Sequence, residues 1–158
     1  MSIQIGTTAP NFTLKDAEGQ TLSLTDFLGQ WVVLYFYPRD NTPGCTKEAC
    51  GFRDRYDAFQ AQNIQVLGIS ADDAISHQKF VKKYNLPFPL LCDPGGLVAK
   101  IYESYGPKKF MGKEYEGIYR QTFAIDPAGQ IVKIYRKVKP EPHAAELFED
   151  IVDFQRAV

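Results

Sequence analysis

Trp31 to Tyr37 is an unbroken apolar run, and Pro38-Arg39-Asp40-Asn41-Thr42-Pro43-Gly44 separates it from a stretch of helical periodicity. A run this rich in aromatic and β-branched residues, with no polar alternation, reads as a strand buried on both faces. A second apolar run, Gln65 to Ser70, follows the helical stretch. A helix joining two buried strands is a crossover connection, so these strands are expected to lie parallel at the centre of a sheet.

The rest of the chain fits around that unit. Phe12-Thr13-Leu14 and Thr21 to Leu24 alternate around Asp16-Ala17-Glu18-Gly19 and predict an N-terminal β-hairpin. Helices are expected from about Pro43 to Gln62, Asp72 to Tyr84, Leu97 to Tyr105 and Ala144 to Arg156, with a short strand at Leu90 to Cys92. Tyr119 to Ile125 and Gln130 to Arg136 flank Asp126-Pro127-Ala128-Gly129, a turn sequence, and predict a second hairpin. This order gives an α/β class: a central mixed sheet flanked by helices, thioredoxin-like, with the N-terminal hairpin added. No repeat, low-complexity tract or linker divides the chain, so residues 1–158 are expected to form one domain.

Composition narrows the partners. A formal net charge of −1 argues against a surface built for nucleic acid or anionic membrane. No apolar run approaches the roughly 18 residues of a spanning helix, and Met1-Ser2-Ile3-Gln4-Ile5-Gly6 has neither the basic nor the apolar region of a secretory signal. Three cysteines are too few for a disulfide scaffold and suit a reducing compartment. The expected location is the cytoplasm, and a processed organellar protein would present the same features.

The turn between the first central strand and its helix carries the chemistry. With Thr42 as N-cap and Pro43 as first helical residue, Cys45 falls in the first turn, among unpaired amides at the positive end of the dipole. That position favours a thiolate. A free thiol is only about 3% ionised at neutral pH, so full ionisation gains at most roughly thirtyfold. Larger accelerations need donors aimed at the reacting oxygens. The Thr42 hydroxyl, the Cys45 amide and the cation of Arg120, which opens an apolar strand, are the candidates.

Cys50 stands five positions after Cys45, on the polar side of the helix with Asp54 and Asp57, whereas Cys45, Ala49, Phe52, Tyr56 and Phe59 form the core stripe. On an ideal helix the two cysteines point about 140° apart with a rise of about 7.5 Å, so an intact helix cannot join them. If they pair, the first turns must unwind. Cys92 ends an apolar run and reads as a small packing residue. His77 and His143 lie at no metal-ligand spacing from a cysteine and are expected on the surface.

Pro38, Thr42 and Cys45 together match the Pro-x-x-x-Thr-x-x-Cys motif of the peroxiredoxins, and the chain from Tyr35 to Cys50 resembles the bacterioferritin-comigratory-protein, or peroxiredoxin Q, subfamily. The likeness continues through Ala9 to Leu14, Gly68-Ile69-Ser70, Phe110 to Lys113 and Gly117 to Phe123. The resemblance implies a thiol-dependent peroxidase that reduces hydrogen peroxide and alkyl hydroperoxides without metal or organic cofactor. It makes Cys45 the peroxidatic nucleophile, Thr42 and Arg120 its activators, and Pro38 the shield of the site. It makes Cys50 the resolving cysteine, while Cys92 departs from the pattern and leaves a second disulfide partner open. It further implies a monomer recycled by thioredoxin or a similar dithiol.

Two other readings stand beside it. A thioredoxin-like thiol–disulfide oxidoreductase would want Cys-x-x-Cys, and four residues intervene between Cys45 and Cys50. A metal-binding module of the same fold would have to gather Cys45, Cys50 and His143.

Overall fold

In the computed structural model, which describes residues 3–157, the two apolar runs are neighbouring parallel strands. Met1 and Ser2, which belong to the segment read above for a targeting signal, and Val158 lie outside the described residues. In chain order the elements are β1 (Thr13–Asp16), β2 (Thr21–Ser23), β3 (Trp31–Phe36), α1 (Pro43–Ala61), β4 (Ile64–Ser70), α2 (Ala74–Tyr84) and β5 (Leu90–Cys92). There follow α3 (Leu97–Ile101), β6 (Tyr105–Phe110), β7 (Lys113–Ile118), β8 (Gln121–Ile125), β9 (Ile131–Tyr135) and α4 (His143–Arg156).

Seven strands form one mixed sheet in the order β2-β1-β5-β4-β3-β8-β9. β3, β4 and β5 run parallel, and the pairs β1–β2, β1–β5, β3–β8 and β8–β9 are antiparallel. The period of two along β3 divides the interior. Val33, Tyr35 and Tyr37 face a core with Cys45, Phe52 and Phe59 of α1, Phe80 of α2 and Leu147 and Ile151 of α4. Val32, Leu34 and Phe36 face the other core, with Phe12, Val98, Tyr102, Phe123 and Ile131. Both faces of β3 are therefore dry, which is why its sequence shows no alternation.

The structure departs from the sequence reading after β5. The expected helix Leu97 to Tyr105 stops at Ile101, because Glu103 takes a left-handed φ of 58° and Tyr105 opens a strand. β6 and β7 form a separate antiparallel ribbon that sequence reading left unassigned. Its two-residue turn, Met111-Gly112, has φ of 51° and 79°, the paired positive values of a tight hairpin turn. The ribbon was hard to see because most of its residues are exposed on both sides and carry no apolar alternation. Among the described residues no helix is long and apolar enough to cross a membrane.

Candidate active site

The end of β3 delivers the chain to α1 through a turn in which Asn41 adopts a left-handed φ of 58°. Thr42 is the N-cap by backbone geometry, with φ −97° and ψ 157°, and Pro43 is the first helical residue. The Thr42 side chain does not cap the helix; its hydroxyl donates to the Arg39 carbonyl at 3.0 Å. The first intrahelical bond runs from Thr46 N–H to the Thr42 carbonyl at 2.8 Å. The Gly44 and Cys45 amides precede it and belong to the positive end of the helix.

Cys45 is 1% exposed and packs in the α1 core. Arg120, in the short link between β7 and β8, donates from Nη2 to Cys45 Sγ at 3.2 Å and from Nη1 to Glu48 Oε1 at 2.7 Å. One guanidinium thus spans the Cys45 sulfur and the Glu48 carboxylate, the fork geometry that distinguishes arginine from lysine. Gly44 makes room for it, since a Cβ there would stand 3.0 Å from Arg120 Nη2. Burial tends to lower the Arg120 pKa, but the charges of Glu48 and Cys45 outweigh it and the cation is held more firmly than usual. Lys108 is a second nearby cation, its pKa lowered by burial and by Arg120.

Glu48 was missed at the sequence level, although a signal existed. Three residues after Cys45, it lies on the same helical face as the apolar stripe, where an acid must have a partner. Burial pushes its carboxyl up to about 7, against the pull of Arg120. Among the described residues, Glu48 Oε2 and the Tyr35 hydroxyl are buried with no hydrogen-bond partner.

Pro38 is half-buried and lines a cavity of about 400 Å³ with Tyr105, Lys108, Tyr115 and Ile118, so the ribbon walls the turn. A more apolar cavity, lined by Ala9, Leu24, Phe27 and Val32, lies toward the opposite end of β3 from Cys45. Cys50 is half-buried on the same unbroken helix as Cys45, and burial raises its thiol pKa. All three cysteines are free. Cys92 is only half-buried rather than packed in the core; burial, then Asp40, Asp73, Asp16 and Asp72, hold its thiol protonated.

Both histidines are buried, contrary to the surface placement expected from sequence. His143 is 2% exposed at the start of α4, and its Nε2 meets the Thr122 hydroxyl on β8 at 2.8 Å. Burial and Arg120 lower its pKa to about 4. His77 is fully buried against Asp40. Isolated histidines in a sequence reveal nothing of such partners, which tertiary packing supplies. Among the described residues Cys45, Cys50 and His143 do not gather as three metal ligands; Asp40, Asp72 and His77 are the group close enough to do so.

Comparison with known proteins finds relatives over nearly the whole chain. The AhpC/TSA family model matches residues 5–134. A putative peroxiredoxin Bcp of Coxiella burnetii is 51% identical over 93% of this chain and 97% of its own. The peroxiredoxin Bcp of Bacillus subtilis is 46% identical over 97% and 98%. Among solved structures, PrxQ of Xylella fastidiosa superposes with a TM-score of 0.92 at 34% identity, covering 98% of this chain and 99% of that one. The Xanthomonas campestris bacterioferritin comigratory protein, studied for alkyl peroxide reduction, gives 0.88 at 32% identity over 96% and 97%.

Proposed function

The chain belongs to the AhpC/TSA family, among peroxiredoxins of the Bcp and Q kind, and from that premise we propose how its own residues carry out the reaction. The protein is a thiol-dependent peroxidase with a thioredoxin-like fold. The observation that carries the residue roles is the single Arg120 guanidinium that touches Cys45 Sγ and the buried Glu48 together.

The Cys45 thiolate attacks the terminal oxygen of a hydroperoxide along the O–O axis. The S–O bond forms as the O–O bond breaks, and the leaving alkoxide or hydroxide takes a proton to give an alcohol or water. Arg120 and the Cys45 amide stabilise the charge that spreads over the two oxygens in the transition state. The Thr42 hydroxyl, whose proton is spent on Arg39, keeps its oxygen lone pairs for the hydroperoxide O–H. Pro38 and the ribbon limit water at the site.

Cys50 then attacks the Cys45 sulfenic acid, releasing water and closing a disulfide. The two side chains diverge on one helix, so the first turns of α1 must open for this step. A dithiol reductant, thioredoxin or one like it, attacks the disulfide, forms a mixed disulfide and leaves both cysteines reduced. The chain works as one domain over residues 1–158, as a monomer in the cytoplasm. The test is peroxide turnover with thioredoxin against a monothiol as electron donor. Turnover with the dithiol that vanishes in Cys50→Ser supports these roles, and equal turnover with and without Cys50 refutes the resolving assignment.

A further inference from the structure

The turn that presents Thr42 and the start of α1 is held in place by a buried polar network outside α1. Asp40 is its centre. The Asp40 Oδ1 accepts from the Tyr37 hydroxyl at 2.5 Å, and Oδ2 accepts from the Ser76 hydroxyl at 2.8 Å and meets His77 Nδ1 at 2.6 Å. The Asp40 amide donates to Asp72 Oδ2 at 2.8 Å, and the Ser70 hydroxyl donates to that same oxygen at 2.7 Å. The other ring nitrogen, His77 Nε2, faces the Leu91 carbonyl of β5 at 3.0 Å.

The imidazole is thus set between two acceptors, a carboxylate and a carbonyl. A neutral ring can donate from only one nitrogen and would turn a lone pair toward the other oxygen. Both bonds are made only by the imidazolium, and at 0% and 3% side-chain exposure the pair is shielded from solvent. The charged or titratable groups that face it are Tyr37 and Asp40 from the turn and Asp72 from the start of the α2 segment. Asp73 caps α2 through the Ser76 amide. Burial disfavours the charged ring, but the hydrogen bond and charge of Asp40, then Leu91, outweigh it and leave the pKa raised.

Resting on the peroxidase reading, we propose that His77, as an imidazolium paired with Asp40, is the positioning residue of the Cys45 site. It fixes the Pro38–Thr42 turn from α2 and sets the point beyond which α1 unwinds. Asp40 lies next to Arg39, whose carbonyl orients the Thr42 hydroxyl, so a shift of Asp40 moves the donor pattern at the site. A second tie reaches the turn from the end of α2, where the Tyr84 hydroxyl donates to Asn41 Oδ1 at 3.3 Å. None of the residues in the network belongs to α1. The anchor therefore survives when α1 opens, and confines the opening to residues beyond Thr42.

The two ring nitrogens can be replaced separately. An asparagine amide nitrogen stands where Nδ1 stands and keeps the bond to Asp40; a glutamine amide nitrogen stands where Nε2 stands and keeps only the bond to Leu91. Single-turnover peroxide reduction is measured for the wild type, His77→Asn and His77→Gln well below their melting temperatures. His77→Gln should be slower by about tenfold, since a misplacement of about 1 Å can cost up to about a hundredfold, while His77→Asn, which keeps the bond to Asp40, should stay close to the wild-type rate. Equal rates in the two variants, or losses that follow melting temperature alone, overturn the proposal. On the wild-type protein, nitrogen NMR of His77 at neutral pH should show both ring nitrogens protonated, and a single protonated nitrogen overturns it even if neither variant folds. A wild type inert to peroxide would instead refute the peroxidase reading, which separates the two failures.

Discussion

At the scale of single residues, the site depends on one cation shared between the Cys45 sulfur and the Glu48 carboxyl. Arg120→Met removes the guanidinium that meets Cys45 Sγ at 3.2 Å. Peroxide reduction should fall by about a hundredfold, the order lost with one transition-state donor. The loss should persist at alkaline pH, where thiolate fraction no longer limits the rate; a rate restored there would reduce Arg120 to a tuner of ionisation. Glu48 gives a prediction with a definite sign. Its carboxyl titrates near 7 in the fold against an ordinary 4.5. It therefore contributes stability below about 4.5 that is lost as pH rises through about 7, on the order of 3 kcal/mol. Melting temperatures of wild type and Glu48→Gln should diverge in favour of the variant across that window, and a difference independent of pH would contradict the assignment. Pro38, Thr42, Cys45 and Arg120 were legible in the sequence because each breaks a local expectation or fits a motif. His77 and Asp40 were not, because their burial depends on partners that the fold brings from elsewhere, whereas Glu48 carried a signal in its place on the apolar stripe of α1.

At the scale of elements, α1 carries two tasks that conflict. As a continuous helix from Pro43 to Ala61 it seats Cys45 in the core, and the same continuity keeps Cys50 turned away. Oxidation should therefore lower the helical circular-dichroism signal and expose amides 44–52 to hydrogen exchange. Protection unchanged between the reduced and oxidised proteins would exclude unwinding. The contact of α4 with β8 responds to acid. His143 titrates near 4 in the fold against an ordinary 6.5, so the stability its neutral ring contributes is present above about 6.5 and is lost as pH falls through about 4. His143→Gln, which keeps a donor for the Thr122 hydroxyl, should flatten the acid side of the melting-temperature profile. An unchanged profile would mean that His143 is charged in the fold. The Glu48 and His143 effects oppose each other over nearly the same window, so the wild-type profile alone conceals both.

At the scale of the whole molecule, the order of buried strands and helices was readable because β3 and β4 are apolar on both faces and α1 between them is amphipathic. The β6–β7 ribbon was not, since most of its residues are exposed and its strands show no apolar alternation. That ribbon nevertheless walls the Pro38 turn and brings Lys108 and Arg120 to the site. The proposed cycle thus joins a sheet buried on both faces, a turn held from α2, and a helix that opens when Cys50 reaches Cys45. The most direct measurement of that account is disulfide mapping by mass spectrometry on the reduced protein after one equivalent of hydrogen peroxide at neutral pH, quenched within seconds. A Cys45–Cys50 linkage with Cys92 still a free thiol is the expected result. Three untouched thiols would contradict the account at its centre.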